Sequence, residues 1–147
     1  MKVAFEMEYL NPIKEKASIH LVRYSDNFRE EYKEMFNECY HKMREALDIK
    51  SYDFIQDDSF FEEGMDNVYL LLGNGEIIGS VALKGEEIDD LLVKKKYRGQ
   101  GYGKELLLWA IENIDSKRPI LYVAGWNEKA VELYKKTGFE ITKTIQI

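Results

Sequence analysis

The chain has 147 residues, of which 45% are hydrophobic and 33% are charged. This balance predicts one globular domain and excludes a disordered polymer, a collagen-like fibre and a disulfide-stapled miniprotein. The formal net charge of -6 opposes binding to nucleic acids and anionic membranes. No apolar run is long enough to span a bilayer. The single cysteine, Cys39, and an N-terminus without an apolar signal core predict a cytoplasmic protein.

The N-terminal half predicts two strands and one long helix. Apolar residues alternate with charged residues over residues 2–10, which predicts a strand. Residues 17–24 predict a second strand. Ser25 is placed to cap a helix over residues 28–46, where apolar residues recur every three or four positions. Residues 53–62 predict a short second helix.

The C-terminal half predicts a hairpin followed by alternating helices and strands. Asn74-Gly75 is a strong signal for a type I′ turn, because both central residues of that turn need positive φ. Gly138 stands where a C-terminal glycine ends a helix. Strands are predicted at 68–72, 77–83, 88–93, 120–124 and 139–147, and helices at 101–114 and 127–137. This order predicts an α/β sandwich whose sheet is mostly antiparallel with one parallel step.

A basic, glycine-rich segment joins a predicted strand to a predicted helix. Unpaired N–H groups and the positive end of the helix dipole favour anions at a helix start, and glycine lets a ligand approach the backbone. The segment therefore predicts a phosphate or pyrophosphate cradle. The simpler alternative is a tight turn. The segment contains Gly99, Gly101 and Gly103, flanked by a predicted positive patch of Lys94, Lys95, Lys96, Arg98 and Lys104.

Two familiar nucleotide-binding motifs do not match this loop. A Walker A motif needs glycine where Arg98 stands and serine or threonine where Glu105 stands. The Rossmann fingerprint needs G-x-G-x-x-G, whereas residues 99–103 read G-x-G-x-G. A nucleotide-phosphate domain is therefore disfavoured.

Two other motifs carry a family resemblance. The run Arg98-Gly99-Gln100-Gly101-Tyr102-Gly103 matches R/Q-x-x-G-x-G/A at every defined position. The residues Asn127, Ala130, Leu133, Tyr134, Gly138 and Phe139 match N-x-x-A-x-x-L-Y…G-F. By these motifs the chain resembles the GNAT family of acyl-CoA-dependent N-acyltransferases. The resemblance follows the element order of residues 17–147 and is most specific between residues 67 and 140.

The resemblance implies one GNAT-like domain over residues 1–147, with flanking helices and two splayed central strands. Residues 1–16 are an extra N-terminal segment that includes a possible added strand. Many family members end in a two-stranded hairpin, whereas nine residues follow Gly138 here. Residues 2–10 or a neighbouring subunit of a homodimer are therefore expected to complete the acceptor wall.

The resemblance also implies a donor and an acceptor. Acetyl-CoA is the expected cosubstrate, its pantetheine lying along the fourth family strand, and a primary amine on a small molecule or a protein is the expected acceptor. Because the two histidines, His20 and His41, are isolated, no metal site is predicted. The implied donor-binding residues are Leu91, Leu92, Val93, Arg98, Gly99, Gln100, Gly101, Tyr102, Gly103, Lys104, Asn127 and Tyr134.

Acyl transfer to an amine needs a base, an oxyanion donor and an acid for the leaving thiolate. Glu87 is the expected base, and Asp89 on the same face of the strand is the substitute; both are alternatively plain surface charges. The Val93 backbone N–H, or one close to it, is the expected oxyanion donor. Tyr134 is the expected acid because a phenol stays protonated at neutral pH, and its alternative role is core packing.

Other residues have less specific readings. Asn127 is a helix N-cap that the resemblance also places against the CoA arm. Phe60, Phe61 and Tyr52 line either the acceptor pocket or the core. The alternative function for the whole chain is a non-catalytic acyl-CoA-binding sensor or interaction module with the same fold.

Overall fold

A computed structural model describes residues 2–147 as one mixed sheet with helices on both faces. The strands are β1 (Val3–Tyr9), β2 (Val22–Arg23), β3 (Val68–Gly73), β4 (Glu76–Lys84), β5 (Glu87–Val93), β6 (Ile120–Ala124) and β7 (Phe139–Gln146). The helices are α1 (Arg29–Ala46), α2 (Tyr102–Asn113) and α3 (Glu128–Lys136). The sheet has 7 strands in the order β2-β3-β4-β5-β6-β1-β7. Within residues 2–147 no helix has the length and apolar character needed to cross a membrane.

The sheet confirms the predicted mixed topology. Every neighbouring pair of strands is antiparallel except β5 and β6, which run parallel. The pairing between β5 and β6 is limited to Glu87 and Ile120. Beyond this point the strands separate toward their carboxyl ends, which confirms the predicted splay.

The two faces of the sheet have separate cores. Helix α1 packs its apolar stripe on β3, β4 and β5, where Tyr32, Met35 and Phe36 are buried. Helices α2 and α3 pack on the opposite face against β1, β4, β5, β6 and β7. Leu107 of α2 and Phe139 of β7 are each at most 1% exposed there. The side of the sheet that carries α1 is called the α1 face below.

Strand β1 lies inside the sheet, antiparallel to β6 on one side and to β7 on the other. Glu6 stands opposite Tyr122 of β6 and opposite Lys143 of β7. Of the two alternatives expected from the sequence, residues 2–10 and a neighbouring subunit, the N-terminal segment of the same chain takes the place beside β6.

Residues 10–21 cross from β1 to β2 over helix α2. The Ala17 N–H donates to Glu112 at 2.6 Å and the Ser18 N–H donates to Glu105 at 2.8 Å. Because helix carboxylates accept these bonds, the predicted strand over residues 17–24 is wrong except for β2.

The connection between α1 and β3 is mostly irregular. The predicted helix over residues 53–62 is only a 3-10 turn at Asp58–Glu62. The Asp57 carboxylate accepts a bond from the Ser59 N–H at 2.9 Å, and such a local side-chain bond competes with an α-helix.

A bulge interrupts β5 beside the splay. Asp89 is paired with Ala82 and Leu92 with Ser80, so two residues of β5 oppose one residue of β4. Asp90 has φ 47, a left-handed conformation that aspartate tolerates better than most residues. The bulge brings the side chain of Asp90 to the α1 face, which Asp89 already occupies.

Candidate active site

The glycine-rich loop connects the end of β5 to the start of α2. Gly99 has φ 79 and Gly101, which is the N-cap of α2, has φ 90. Residues with a Cβ avoid these angles, so the loop shape depends on glycine. A Cβ built at either position meets nothing within 4 Å, which leaves the loop open on that side.

The loop presents a continuous run of free backbone donors. Within residues 2–147, no backbone N–H from Gly99 to Lys104 has a hydrogen-bond acceptor; the first bond of α2 runs from the Glu105 N–H to the Gly101 carbonyl at 3.2 Å. Gly103 lies in the first helical turn, where its side faces only Leu133 at 3.7 Å from a built Cβ. Unpaired donors at a helix start fit a phosphate or pyrophosphate group.

Ion pairs weaken the predicted positive patch, because three of its five basic side chains contact carboxylates. The Lys94 Nζ lies 2.7 Å from Glu31 and 3.0 Å from Glu76. Lys96 contacts Glu76 at 2.7 Å, and Lys104 contacts Glu15 at 2.9 Å. The backbone donors are therefore the feature of this loop that suits an anion best.

Glu76 is the carboxylate that fastens the segment before the loop. Hydrogen bonds from Lys96, from Lys94 and from the Tyr97 hydroxyl lower the pKa of Glu76 to about 2. These contacts hold the 3-10 turn at Lys95–Tyr97, which precedes the glycine-rich loop, against the β3–β4 hairpin.

Arg98 points away from the open side of the loop. Its Nε donates to the Val93 carbonyl at 3.1 Å, and its Nη2 donates to the Cys39 Sγ at 3.3 Å. Arg98 therefore ties the end of β5 to helix α1. Burial raises the pKa of the Cys39 thiol, so this cysteine stays neutral.

The end of β5 borders the gap with its backbone. The Lys94 N–H donates to Ile78 of β4 at 2.8 Å. Because backbone groups alternate in direction along a strand, the Val93 N–H points away from β4 and toward the gap. Leu91 and Val93 pack on the α2 side, and Leu92 is buried under α1.

A cluster of carboxylates lies on the α1 face where the gap closes. The Lys84 Nζ lies 2.8 Å from Asp89 and 3.6 Å from Asp90. The Tyr40 hydroxyl of α1 donates to Asp90 at 2.6 Å. Sequence reasoning found Glu87 and Asp89 but missed Asp90 and Tyr40, because simple alternation places Asp90 on the other face.

Two of these carboxyl groups have raised pKa values. Burial, followed by the charge of Asp89, raises the pKa of Glu87. Burial also raises the pKa of Asp90, although the Tyr40 hydrogen bond acts in the opposite direction. A carboxylate with a raised pKa is a better proton acceptor near neutral pH.

Helix α3 places Asn127 and Tyr134 on the far side of the gap. The Asn127 Oδ1 accepts from the Ala130 N–H at 3.4 Å, which is an N-cap bond. The Tyr134 ring packs against Phe139 at a centroid distance of 6.3 Å, and its hydroxyl has no hydrogen-bond partner within residues 2–147. Burial raises the pKa of Tyr134 to about 12, so the phenol is protonated at neutral pH.

The remaining candidates separate into core and surface. Phe61 is 8% exposed and belongs to the core under α1, with Phe60 packed beside it. The Tyr52 hydroxyl donates to Asp48 at 3.0 Å on the surface. Among residues 2–147, no group of three or more His, Cys, Asp or Glu side chains is arranged to hold a metal ion.

Comparison with known proteins shows similarity to acetyltransferases. A family model described as "Acetyltransferase (GNAT) family" matches residues 25–139. A Bacillus subtilis (strain 168) protein provisionally named [ribosomal protein bS18]-alanine N-acetyltransferase is 31% identical over 94 residues, which cover 56% of this chain and 62% of that protein. The peptidyl-lysine N-acetyltransferase YjaB of Salmonella typhimurium is 39% identical over 69 residues, covering 46% of this chain and 45% of that protein. The chain thus spans less than two thirds of either relative.

A solved structure supports the same fold. The acetyltransferase from the GNAT family of Colwellia psychrerythraea aligns with 99% of this chain and 54% of its own length, with a TM-score of 0.71 and 11% sequence identity. At this identity the likeness concerns the fold alone.

Proposed function

Because the chain belongs to the GNAT family of acetyltransferases, we propose that it transfers the acetyl group of acetyl-CoA to a primary amine. The observation that carries this proposal is the run of backbone donors from Gly99 to Lys104, without acceptors in the described chain, next to the gap between β5 and β6. Such a run suits the pyrophosphate of CoA, and the gap suits the pantetheine arm.

The donor is held mainly by backbone groups in this proposal. The loop from Gly99 to Lys104 binds the pyrophosphate, while the exposed backbone of Leu91–Val93 pairs with pantetheine much as an added strand would. Leu92 and Arg98 support that strand from the α1 side. The free amide nitrogen of Asn127 is available to the donor arm because only its oxygen is used in the N-cap.

The proposed base and acid lie on opposite faces of the sheet. Glu87 accepts the amine proton directly or through water, and its raised pKa supports that role. Asp89 and Asp90 are the neighbouring alternatives. The Val93 N–H stabilises negative charge on the acetyl oxygen, and the Tyr134 hydroxyl protonates the thiolate that leaves. An acceptor arriving from the α1 face therefore meets the base first.

Two relatives support an amine on a protein as the acceptor. One relative is named for an alanine of a ribosomal protein and another for peptidyl-lysine. The single cysteine, which has no partner for an intrachain disulfide, supports a cytoplasmic location. A homodimer is not required to complete the sheet, because β1 pairs with β6 and β7 within one chain.

The test combines CoA binding with amine-dependent turnover. Calorimetric titration should show binding of CoA, and thiol release from acetyl-CoA should increase on adding an amine, with the acetylated amine identified by mass spectrometry. Binding without amine-dependent thiol release, over a panel that includes a small amine and a lysine peptide, would instead support the acyl-CoA sensor. Absence of CoA binding would refute both readings.

A further inference from the structure

One part of the α1 face has no helix packed over it within residues 2–147. Helix α1 packs over β3, β4 and β5 and reaches the start of β1 only at Ala46, whose carbonyl accepts a bond from Lys2. Tyr122 of β6 is 46% exposed, and Ala4, Glu6 and Glu8 of β1 are half-buried. This surface, called the open face below, begins where Glu87 pairs with Ile120.

The open face carries carboxylates in two directions. Strand pairing sets Glu87, Ile120, Glu8 and Glu140 in one row across β5, β6, β1 and β7. Three strand spacings make this row about 14 Å long. Glu6 lies two residues from Glu8 along β1, about 7 Å away on the same face.

Negative charge exceeds positive charge on the open face. Arg118 pairs with Glu8 at 2.9 Å, and Lys143 stands opposite Glu6 in the strand register. Two further cations lie on this face: Lys84, which stands opposite Glu87 and pairs with Asp89 and Asp90, and Lys2, which donates to the Ala46 carbonyl. The six carboxylates outnumber the four cations; they are Glu6, Glu8, Glu87, Asp89, Asp90 and Glu140. The Tyr122 hydroxyl donates to Glu6 at 2.8 Å. This bond, followed by burial and by the charges of Glu6, Glu87 and Glu86, raises the pKa of Tyr122.

We propose that the open face docks a basic, extended polypeptide segment that presents its primary amine to Glu87. This inference rests on the proposed acetyltransferase function. Strand β1 supplies Glu6 and Glu8, so the N-terminal segment determines acceptor specificity. An extended peptide places same-side side chains about 7 Å apart, and it matches carboxylates that spread both along and across the strands. A linear small polyamine follows only one of these directions.

The test compares two acceptors in steady-state assays of the full chain. One acceptor is a lysine-containing basic peptide and the other is n-butylamine. The test variant combines Glu6→Gln, Glu8→Gln and Glu140→Gln. Its ratio of kcat/KM for the peptide to kcat/KM for butylamine should fall about 30-fold at low salt, and the fall should shrink as salt is added.

A matched control carries the same change of charge elsewhere. It combines Glu34→Gln, Glu62→Gln and Glu63→Gln, three exposed positions without ion pairs within residues 2–147. The control ratio should stay within twofold of the wild type. Unchanged CoA affinity shows that each variant is folded. Glu140→Lys, a single charge reversal at an exposed position, repeats the test if the triple variant does not fold.

The outcomes separate the docking surface from the proposed function. If the kcat/KM ratio falls equally in the test variant and the control, or stays unchanged in both, the docking surface is overturned. Turnover of butylamine in the same assays would still support the proposed acetyltransferase function. If kcat/KM for 1,4-diaminobutane, relative to butylamine, falls as much as kcat/KM for the peptide, the peptide is not the specific occupant. The open face would then be assigned to a small polyamine. CoA binding without acetylation of any acceptor overturns both inferences.

Discussion

The proposed donor side and the proposed acceptor side of the sheet differ in the groups that they present to a ligand. The donor loop offers backbone N–H groups from one contiguous stretch, residues 99–104. The acceptor side consists of side chains from β5, β6, β1, β7 and α1, and these are far apart in the sequence. A contiguous backbone site can be recognised from a short motif, whereas a composite side-chain site depends on strand register. The two sides should also respond differently to substitution.

The largest expected effect separates donor binding from folding. Gly101→Asp introduces a Cβ at φ 90 and a negative charge where pyrophosphate should bind. Because like charges in a binding site cost several kcal/mol, we expect CoA affinity to fall by about 100-fold or more in calorimetric titration. Gly64→Asp is the matched control, since Gly64 has φ 81 and equally open surroundings. Both variants should lose about 1–2 kcal/mol of unfolding free energy to backbone strain, and equal CoA affinity in the two would contradict the cradle.

The next largest effect is a loss of turnover that leaves CoA binding unchanged. Glu87→Gln removes the proposed base, so kcat should fall by about 10²–10⁴-fold while CoA affinity stays within twofold. The acidic limb of the pH–rate profile should lie above the ordinary glutamate range in the wild type, because the pKa of Glu87 is raised. The adjacent Glu86→Gln is the control. If Glu87→Gln is silent, loss of activity in Asp89→Asn or Asp90→Asn would move the base along the cluster.

A smaller effect is expected on the α3 side of the gap. Tyr134→Phe removes a hydroxyl that has no hydrogen-bond partner in the described chain, so packing against Phe139 should survive. We expect kcat to fall by about 10–10³-fold with a smaller change in acetyl-CoA affinity. Tyr69→Phe, on β3 and packed against Trp109, is the control. Steady-state kinetics at the wild-type level in Tyr134→Phe would leave this residue a structural role only.

The smallest effect concerns the ion pairs that hold the donor loop. The pKa of Glu76 is lowered to about 2, so its charged form stabilises the fold above the ordinary glutamate pKa of about 4.3. This contribution is lost as the pH falls from about 4.3 toward 2. Glu76→Gln should therefore reduce the unfolding free energy at pH 7, and its difference from the wild type should shrink in acid. Urea unfolding at several pH values measures this, with Glu63→Gln as control; a difference independent of pH would contradict the ion-pair explanation.

The elements of the donor side were predictable because their signals are local. Helix α2 and strand β6 lie within a residue of the predicted bounds, and Gly101 forms the N-cap at positive φ. The predicted positive patch is weaker than the sequence suggests, for a physical reason that no local pattern contains. Glu31, Glu76 and Glu15 lie far from the loop in sequence but pair with its lysines in space.

The acceptor side was predicted only in part. Glu87 and Asp89 follow from strand alternation, but Asp90 joins them because a bulge breaks that alternation. The pattern over residues 2–10 predicts a strand, but it does not tell whether this segment or another subunit completes the sheet beside β6. The crossing segment failed as a strand because α2 carboxylates accept the N–H bonds of Ala17 and Ser18.

Two sequence motifs were enough to identify the family. Most of the order of strands and helices and the glycine loop also followed from local signals, because apolar periodicity and the φ preferences of glycine act over a few residues. The packed sheet was needed to show which carboxylates share a face, which lysines remain free and where β1 lies. Strand register and ion pairing join residues that are distant along the chain, and the free energy of these contacts depends on the whole packed sheet. The proposed acceptor surface therefore depends on the whole fold, whereas the shape of the proposed donor loop depends on its own segment.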